Sequence, residues 1–298
     1  MMKKILFSSV AFLSSFVVMA HDVEIDGIFY NLDVPNQTAS VTYQGDNFLS
    51  VSDEYTANVV IPSFITYNDQ QYTVTTIGDY AFAYCATLQE VALPEEVTVI
   101  GSNAFVGCTA LTALEIPQHV TTIGDWAFAY CTALTTLTIP DEVAVIAPEM
   151  FYACRDLQKI TLGSGIESIG NFAFVDCIQL QEITIRAAQM PTTGSSVFTN
   201  FDATLLVPCS ALAEYTNNEV FGSFAAIKCI PEADDPSTGV VETESNEVYV
   251  SGKWILCDHA DLTIYDMLSR NVTHLNGSLH NGIYIVQANN KLQKVLIK

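Results

Sequence analysis

Basic residues are the scarcest feature of this chain of 298 residues. Between residues 21 and 230 only Arg155, Lys159, Arg186 and Lys228 are basic, against 24 Asp and Glu residues, which gives a formal net charge of −20. Because nucleic acids are bound through clusters of Lys and Arg, this shortage argues against a nucleic-acid partner. The surplus of acidic residues instead indicates a well-solvated surface that keeps the protein soluble.

The sequence also lacks the signatures of catalysis and of metal binding. It contains no G-x-S-x-G elbow, no H-E-x-x-H pair, no Gly-rich phosphate loop and no acidic calcium loop. Its five histidines are scattered: His274 and His280 are too weak a pair for a metal site, and His119 falls in a turn where we expect it to be solvated. We therefore predict a protein that is not an enzyme and that binds no cofactor and no metal ion.

Long apolar runs are missing after the amino-terminal segment. That segment has Lys3 and Lys4, then the apolar run 5–19, and then Ala20 at the last position before a cleavage site. The run is short for a membrane anchor, because a bilayer core needs about 20 apolar residues. We predict a secretory signal peptide over residues 1–20 and no transmembrane segment in the mature chain.

Repetition is what the sequence has in abundance, since a unit of 23 residues occurs five times between residues 75 and 185. Three apolar positions keep this spacing throughout, namely Ile77, Ile100, Ile123, Ile146 and Ile169, then Phe82, Phe105, Phe128, Phe151 and Phe174, then Cys85, Cys108, Cys131, Cys154 and Cys177. A fixed period of this length predicts a solenoid, because one repeat cannot bury its apolar face without a neighbour.

Each repeat contains a segment that alternates as a half-buried strand does, for example LTTLTI at 134–139. Stacked copies of this segment predict a parallel sheet with strands about 4.8 Å apart. Glycines at 78, 101, 124 and 170 indicate a tight turn, after which we expect a short helical turn with the Phe pointing inward. The predicted fold is thus mostly β with short helical turns.

The flanks of the array predict further units. Two β-type runs at 28–34 and 39–43, joined by turn residues, predict a β-hairpin that caps the array, and Ser210 could begin a short helix of a second cap. An acidic segment rich in Pro, Ser and Thr resembles a linker in composition, and five β-type runs follow it. We divide the chain into a signal peptide at 1–20, an N-terminal cap at 21–74, a solenoid with its C-terminal cap at 75–230, a linker at 231–246 and a small β-sandwich at 247–298.

The repeat core x-x-IG-x-x-AF-x-x-C-x-x-L resembles the BspA-like leucine-rich repeats of bacterial surface proteins over residues 75–185, and more loosely at 205–215. The tail segments at 262–272, 281–286 and 294–298 resemble the C-terminal sorting domain of proteins exported by type IX secretion. These resemblances imply a leucine-rich repeat solenoid that is exported across the outer membrane of a Gram-negative bacterium. They also imply adhesion or the binding of host proteins.

Cysteines are numerous, but five of the eight belong to the repeat column. In-register stacking would point their Cβ atoms the same way, which disfavours disulfide geometry, so we expect buried free thiols. Cys209 and Cys229 both fall in the C-terminal cap, where a disulfide and two free thiols both remain open. Cys257 lies in the tail, and we expect it to belong to the core there.

Residues at one phase of the repeat should form a line across the surface. On the turn side, aromatic residues recur every second repeat, at Tyr80, Trp126 and Phe172 and at Tyr84 and Tyr130. On the strand side the residues are mostly Thr and Gln, and the candidate positions are Gln89, Thr135, Thr136, Gln158, Lys159 and Gln181. Both lines are candidate ligand-binding surfaces. The aromatic line has a second interpretation, in which its rings fill the space left by Asn103 and Gly107 in alternate repeats.

Two functions are compatible with this sequence. The first is an exported, non-catalytic repeat protein that mediates surface binding or adhesion to host or matrix macromolecules, through a protein or glycan ligand. The second is a structural spacer of the cell envelope or extracellular matrix. In both cases we expect the protein to be secreted or held on the outer-membrane surface of a Gram-negative bacterium, with the type IX export machinery as the partner of its tail.

Overall fold

The computed structural model describes residues 21–44 and 54–230, together with five strands between residues 248 and 297. The predicted signal peptide and the predicted linker both lie outside these described residues. Within them, no helix combines the length and the apolar character needed to cross a membrane.

The N-terminal cap is built from six strands, four of which form two hairpins. Its strands are β1 Val23–Ile25, β2 Ile28–Asp33, β3 Thr38–Thr42, β4 Ala57–Val60, β5 Phe64–Tyr67 and β6 Gln70–Ile77. Strands β2 and β3 pair antiparallel as the predicted hairpin, and β5 and β6 form a second one. Strand β6 also pairs parallel with β3, so the cap changes the chain from antiparallel to parallel pairing.

Tyr55 joins this cap to the first repeat. Its buried hydroxyl accepts a hydrogen bond from the Phe29 backbone N–H at 3.1 Å and donates one to the Thr42 carbonyl at 2.8 Å. Its ring centroid lies 4.7 Å from that of Phe82, the first phenylalanine of the repeat column. The cap thus covers the open apolar end of the solenoid, as a repeat array requires.

The repeats form two parallel ladders. In chain order their strands are β7 Leu88–Ala92, β8 Val99–Ile100, β9 Thr122–Ile123, β10 Thr136–Ile139, β11 Val145–Ile146, β12 Lys159–Leu162, β13 Ser168–Ile169, β14 Glu182–Ile185, β15 Thr192–Thr193, β16 Thr204–Val207 and β17 Ala226–Cys229. The longer strands pair in the order β10-β12-β14-β16-β17, and Leu137, Ile160 and Ile183 lie side by side in register. This arrangement confirms the predicted parallel-stranded solenoid.

The longer ladder is interrupted at the second repeat, contrary to the prediction of one strand in every copy. Strand β7 pairs with β4 of the cap, whereas residues 111–117 form no strand. Thr112 keeps backbone bonds to Gln89 on one side and Thr135 on the other. Between Ala113 and Ile116, within the described chain, no backbone hydrogen bond to either neighbouring repeat is formed. The sheet is therefore split between β7 and β10.

The connection that follows the repeated Gly position is made of β-turns and not of the helical turn that the sequence led us to expect. In the first repeat the Ala81 N–H donates to the Gly78 carbonyl at 3.2 Å, and the Cys85 N–H donates to the Phe82 carbonyl at 3.2 Å. Tyr80 and Tyr84, the third residues of these turns, have φ of +58° and +59°. A left-handed residue at this place is the mark of a type II turn.

The core of the solenoid consists of stacked columns. Phe82, Phe105, Phe128, Phe151, Phe174 and Phe198 form one continuous stack, with centroids of neighbouring rings 5.1–5.7 Å apart. Beside it, the five repeat cysteines are free and buried, as predicted. The thiol of Cys131 donates to the Phe105 carbonyl at 3.1 Å, and Cys108, Cys154 and Cys177 make the equivalent bond. Each column therefore links neighbouring repeats.

The C-terminal cap closes the other end. Strand β16 leads into a 3₁₀ turn at Cys209–Ala211, helix α1 at Leu212–Thr216 and a second 3₁₀ turn at Phe221–Ser223. The residue before α1 is Ala211, with no side-chain cap bond, so the expected start of the helix at Ser210 is wrong by one residue. Cys209 and Cys229 are joined by a disulfide, with Cα atoms 4.7 Å apart.

The tail contains the five strands expected from its sequence. They are β18 Val248–Ser251, β19 Trp254–Cys257, β20 Thr263–Asp266, β21 Gly282–Ala288 and β22 Lys291–Ile297. Strands β18 and β19 pair antiparallel, and β20, β21 and β22 form a second antiparallel sheet.

Candidate binding surfaces

Six aromatic side chains gather on the turn side of the first five repeats, and we call them the aromatic face. They are Tyr80, Tyr84, Trp126, Tyr130, Tyr152 and Phe172. Five of the six were candidates from the sequence. The turns that position them are hydrogen-bonded from one repeat to the next: the N–H groups of Tyr80, Phe82 and Tyr84 donate to the carbonyls of Ser102, Ala104 and Val106. The backbone beneath the rings is thus fixed.

Three rings of the aromatic face form a compact cluster in the third and fourth repeats. The centroid of Trp126 lies 6.4 Å from that of Tyr130 and 5.6 Å from that of Tyr152, and the two tyrosines are 5.5 Å apart. Sequence reasoning missed Tyr152 because it belongs to neither aromatic column. The equivalent positions of the other repeats are Ala83, Val106, Ala129 and Val175, so one large aromatic residue in a column of smaller ones was the signal available.

Part of each ring is used for packing. Ala83, Val106 and Ala129 form a small buried cluster, against which Tyr80, Trp126 and Tyr152 pack. The Tyr84 ring covers Gly107, because a Cβ built there would lie 2.7 Å from a ring carbon of Tyr84. The space-filling interpretation is therefore supported for the inner edges of these rings.

The outer edges remain open to solvent. Tyr84 is 43%, Tyr130 is 42% and Phe172 is 40% exposed, which is high for large apolar side chains. The three residues lie on the same side of the first, third and fifth repeats, and exposed apolar side chains that share a surface are more typical of interaction sites than single ones. Packing therefore accounts for only part of the area of these three rings.

The backbone at these positions is in the left-handed region. In one column this applies to Tyr80, Asn103, Trp126, Glu149, Phe172 and Ser196, and in the other to Tyr84, Gly107, Tyr130, Ala153 and Asp176, with φ between +50° and +73°. Gly and Asn adopt this conformation readily, whereas other residues lose about 1–2 kcal/mol each. Bulky aromatic residues are uncommon there and deserve a physical explanation.

Two carboxyl groups flank the Trp126 side of the aromatic face. In the first repeat the Asp79 carboxylate accepts a hydrogen bond from the Ser102 backbone N–H at 2.7 Å. The equivalent partner of Asp125 is Pro148, which has no N–H to donate. The pKa of the neighbouring Glu149 is raised, first by burial of its carboxyl group and then by the negative charge of Asp125.

The sheet face, defined by Gln89, Thr135, Thr136, Gln158, Lys159 and Gln181, is polar and contains no aromatic ring. All six side chains are at least partly exposed, as predicted. The Lys159 ammonium group lies 3.5 Å from the Glu182 carboxylate, so its charge is partly neutralised by its neighbour. The sheet face belongs to the strands and the aromatic face to the turns, and the two are separate surfaces.

A cleft opens on the strand side where the sheet is split. It has a volume of about 660 Å³ and lies between the first and second repeats. Among the six sheet-face candidates, only Gln89 lines it.

The described residues contain no group of three or more His, Cys, Asp or Glu side chains that could hold a metal ion. Burial raises the pKa of the Cys131 and Cys154 thiols well above the ordinary value, and that of Cys177 to about 12. Because the thiolate is the reactive form of cysteine, these thiols are inert. His119 is exposed in its turn, with Nδ1 3.4 Å from the Glu142 carboxylate.

Comparison with known proteins agrees with the architecture. The family model described as BspA type leucine rich repeat region matches residues 75–205 in six copies. A leucine rich cell surface protein from Faecalibacterium prausnitzii is 28% identical, with a TM-score of 0.47, over 62% of this chain and 54% of that protein. The T. pallidum leucine rich repeat protein is 22% identical, with a TM-score of 0.45, over 60% of this chain and 88% of that protein.

The pneumococcal vaccine antigen PcpA is 21% identical, with a TM-score of 0.50, over 64% of this chain and 50% of that antigen. The chain thus spans about half the length of the Faecalibacterium protein and of PcpA. None of the curated proteins matches it. The spacing of 23 residues and the parallel ladders agree with this family match, so residues 75–205 are similar to a BspA-type leucine-rich repeat region.

Proposed function

We propose that this chain is a non-catalytic binding protein that acts outside the cell and recognises a protein ligand through the aromatic face. The observation that carries this proposal is the exposure of Tyr84, Tyr130 and Phe172 at left-handed backbone positions. An aromatic side chain there is unfavourable by about 1–2 kcal/mol. The burial of these rings does not fully offset that cost, because each ring remains partly exposed. Strain of this kind is concentrated at functional sites.

The chemistry of the aromatic face favours a protein ligand. Trp and Tyr are the residues most enriched at the centres of protein interfaces, since they give a large rigid contact area with few rotatable bonds. The Trp126, Tyr130 and Tyr152 rings supply such an area, and Asp125 and Glu149 provide acidic groups at its edge. A ligand with a basic rim around an apolar centre would complement this surface.

We further propose that the protein reaches its ligand by export. The signal-like sequence at 1–20 and the tail segments resembling a type IX sorting domain support this route. The Faecalibacterium protein is named as a cell surface protein, and PcpA as a vaccine antigen. Adhesion to host or matrix macromolecules at a Gram-negative surface is the role that fits these features together. Cell fractionation with mass spectrometry of both termini tests it, and an intact N-terminus in the cytoplasm would contradict it.

The binding role is tested with a double variant, Tyr84→Asn with Tyr130→Asn, on arrays of extracellular matrix proteins and of glycans. Asn tolerates the left-handed backbone, so the fold should keep its melting temperature within a few degrees while the exposed rings are lost. We expect the affinity for a protein ligand to fall at least about tenfold, as for interface centres in general.

Asp176→Asn is the matched control, because Asp176 has the same left-handed backbone and carries no ring. It should bind as the parent protein does. If only glycans are bound, the ligand class proposed here is wrong. If no ligand is found at micromolar concentration, the structural spacer role stands in its place.

A further inference from the structure

Strand β5 lies at an open edge of the N-terminal sheet. In the described part of the chain its only strand partner is β6, with which it forms the second hairpin of the cap. Strand β6 continues the sheet on its other side, where it pairs with β3. The cap thus covers the apolar end of the solenoid and leaves one strand edge of its own without a partner.

The register of the hairpin shows which backbone groups face outward from this edge. The Val74 N–H donates to the Ser63 carbonyl at 2.9 Å, so these two residues form a hydrogen-bonded pair. Such pairs alternate along an antiparallel hairpin with pairs that exchange no hydrogen bonds. Phe64 and Thr66 therefore direct their N–H and C=O groups away from β6. Among the described residues, no backbone group outside the hairpin bonds to either of them.

The open edge lacks the features by which sheets avoid pairing with other chains. Edge strands are commonly protected by charged side chains, by Pro or by a bulge. Strand β5 contains no charge and no Pro, and its pairing with β6 has no shift in register. No Asp, Glu, Lys or Arg occurs between residues 55 and 68. Phe64 is 55% exposed, so the edge is open, uncharged and partly apolar.

The same strand of a second copy is complementary to this edge. Two copies of β5 can pair antiparallel about a two-fold axis beside Ile65, which sets Phe64 of each copy opposite Thr66 of the other. Both residues carry the outward groups, so this register forms four N–H to C=O hydrogen bonds. It also pairs an aromatic with a β-branched side chain twice, and such cross-strand pairs stabilise antiparallel sheets.

Electrostatics favour β5 over other contacts between copies. The chain has a formal net charge of −22, so two copies repel each other as a whole. An uncharged strand is a place where they can approach with little added repulsion. A strongly charged partner would form no ion pair there, so the edge gives such a partner no advantage over a second copy.

We propose that this chain forms a symmetric dimer in which β5 pairs antiparallel with β5 of a second copy, so that one sheet continues across both. Each copy uses the same strand, and the contact therefore closes at two copies. Because each strand has only four residues, we expect a dissociation constant in the micromolar range. Strand β5 belongs to the cap and the aromatic face to the repeats, so this inference does not depend on the proposed function.

Sedimentation equilibrium of the full chain, over the micromolar range, tests the proposal. We expect a monomer–dimer equilibrium that shifts toward the dimer as salt is added, because salt screens the repulsion between two acidic copies. Thr66→Pro removes an outward N–H and leaves the bonds to β6 intact. It should weaken the dimer at least about tenfold, with a melting temperature close to that of the parent monomer.

Phe64→Asp places a negative charge at the contact in both copies and should also weaken the dimer. Val145→Asp is its matched control, since Val145 is 48% exposed and lies on β11 of the repeats. It should leave the dimer unchanged. Hydrogen exchange at the amides of Phe64 and Thr66 should slow as the protein concentration rises.

Four results would overturn the proposal. A parent chain that stays monomeric would show that a second copy is not the occupant, and the edge would be open to a strand of another protein. A dimer that Thr66→Pro leaves intact would place the contact elsewhere. Equal weakening by Phe64→Asp and Val145→Asp would indicate a general effect of charge. Oligomers larger than two would contradict the two-fold contact.

Discussion

At the scale of single residues, the turns show why the same backbone position tolerates different side chains. Gly107 and Asn103 suit a left-handed backbone, whereas Tyr130 and Trp126 hold the same conformation with large rings. A hint of this was present in the sequence, because Gly and Asn occupy positions in the aromatic columns. The conformation itself was not evident, because the aromatic residues at these positions are not typical turn formers. The neighbouring repeats fix the conformation of the turn through backbone hydrogen bonds, whichever side chain the position carries.

Two buried alanines on adjacent turns allow the left-handed strain to be measured. Ala153 has φ of +57°, and Ala129 is not among the residues with positive φ. Both are buried, so a change to Gly removes the same methyl group from a packed site. We expect Ala153→Gly to be more stable than Ala129→Gly by about 1 kcal/mol or more, because only Ala153 is relieved of strain.

Urea unfolding of the two alanine variants, with equal slopes, provides the comparison. The reverse order of stability would show that the left-handed turn is not strained. A loss of stability of similar size in both variants would show that the packing of the methyl group alone determines the effect.

At the scale of elements, the sequence predicted the parallel ladder, the first hairpin of the N-terminal cap and the strands of the tail. It did not predict the split at residues 111–117, because LTALEI has the same inward alternation as the strands that do form. The alternation within one repeat carries no information about how its residues pair with those of the next repeat. The cleft therefore could not be predicted from the periodicity of the sequence.

The N-terminal cap contains a titrating group at its edge. Glu54 is partly buried and accepts a hydrogen bond from the Gln44 N–H. Burial raises its pKa to about 7, against the opposing effect of that hydrogen bond. The folded protein therefore binds this proton more tightly than the unfolded chain does. Its stability should be greatest below the unfolded pKa and should decline as the pH rises through the window up to about 7.

Melting temperatures between the two pKa values of Glu54 test this linkage. Because the carboxyl group is partly solvated, we expect a modest decline across the window and a clearly smaller one in Glu54→Gln. Glu95→Gln, at an exposed turn, serves as the control and should keep the decline of the parent. A melting temperature that rises with pH in the parent, relative to Glu54→Gln, would contradict the assignment.

At the scale of the whole molecule, the array depends on its two ends. Each repeat contacts mainly its neighbours, so the terminal turns are the most easily opened. The N-terminal end is held by Tyr55 and the hairpins, and the C-terminal end by buried Tyr215 and Phe221 and by the Cys209–Cys229 disulfide. The aromatic face lies between the two caps, which keep that part of the array folded.

The disulfide predicts a definite thiol count and a local loss of stability on reduction. The chain has eight cysteines, so six should react in the denatured, unreduced full chain. Reduction should destabilise the C-terminal cap by about 3 kcal/mol, the size expected for a bond that closes a loop of about 20 residues.

Thiol titration measures the count, and hydrogen exchange locates the effect of reduction. Faster exchange should be confined to β16, α1 and β17, while the third repeat is unchanged. Eight reactive thiols would show that the bond does not form. Faster exchange throughout the array would show that the repeats unfold as one unit.

The hydrogen bonds between the turns of neighbouring repeats run in a single direction. The N–H groups of Tyr80, Phe82 and Tyr84 point to the following repeat, as do those of Trp126, Phe128 and Tyr130. Their peptide dipoles are therefore aligned along the axis of the solenoid and add together, as those of a helix do. The turn side of the molecule thus has a positive end toward the C-terminal cap and a negative end toward the N-terminal cap. The field of these aligned dipoles would orient a charged ligand that approaches the aromatic face, before the ligand contacts any side chain.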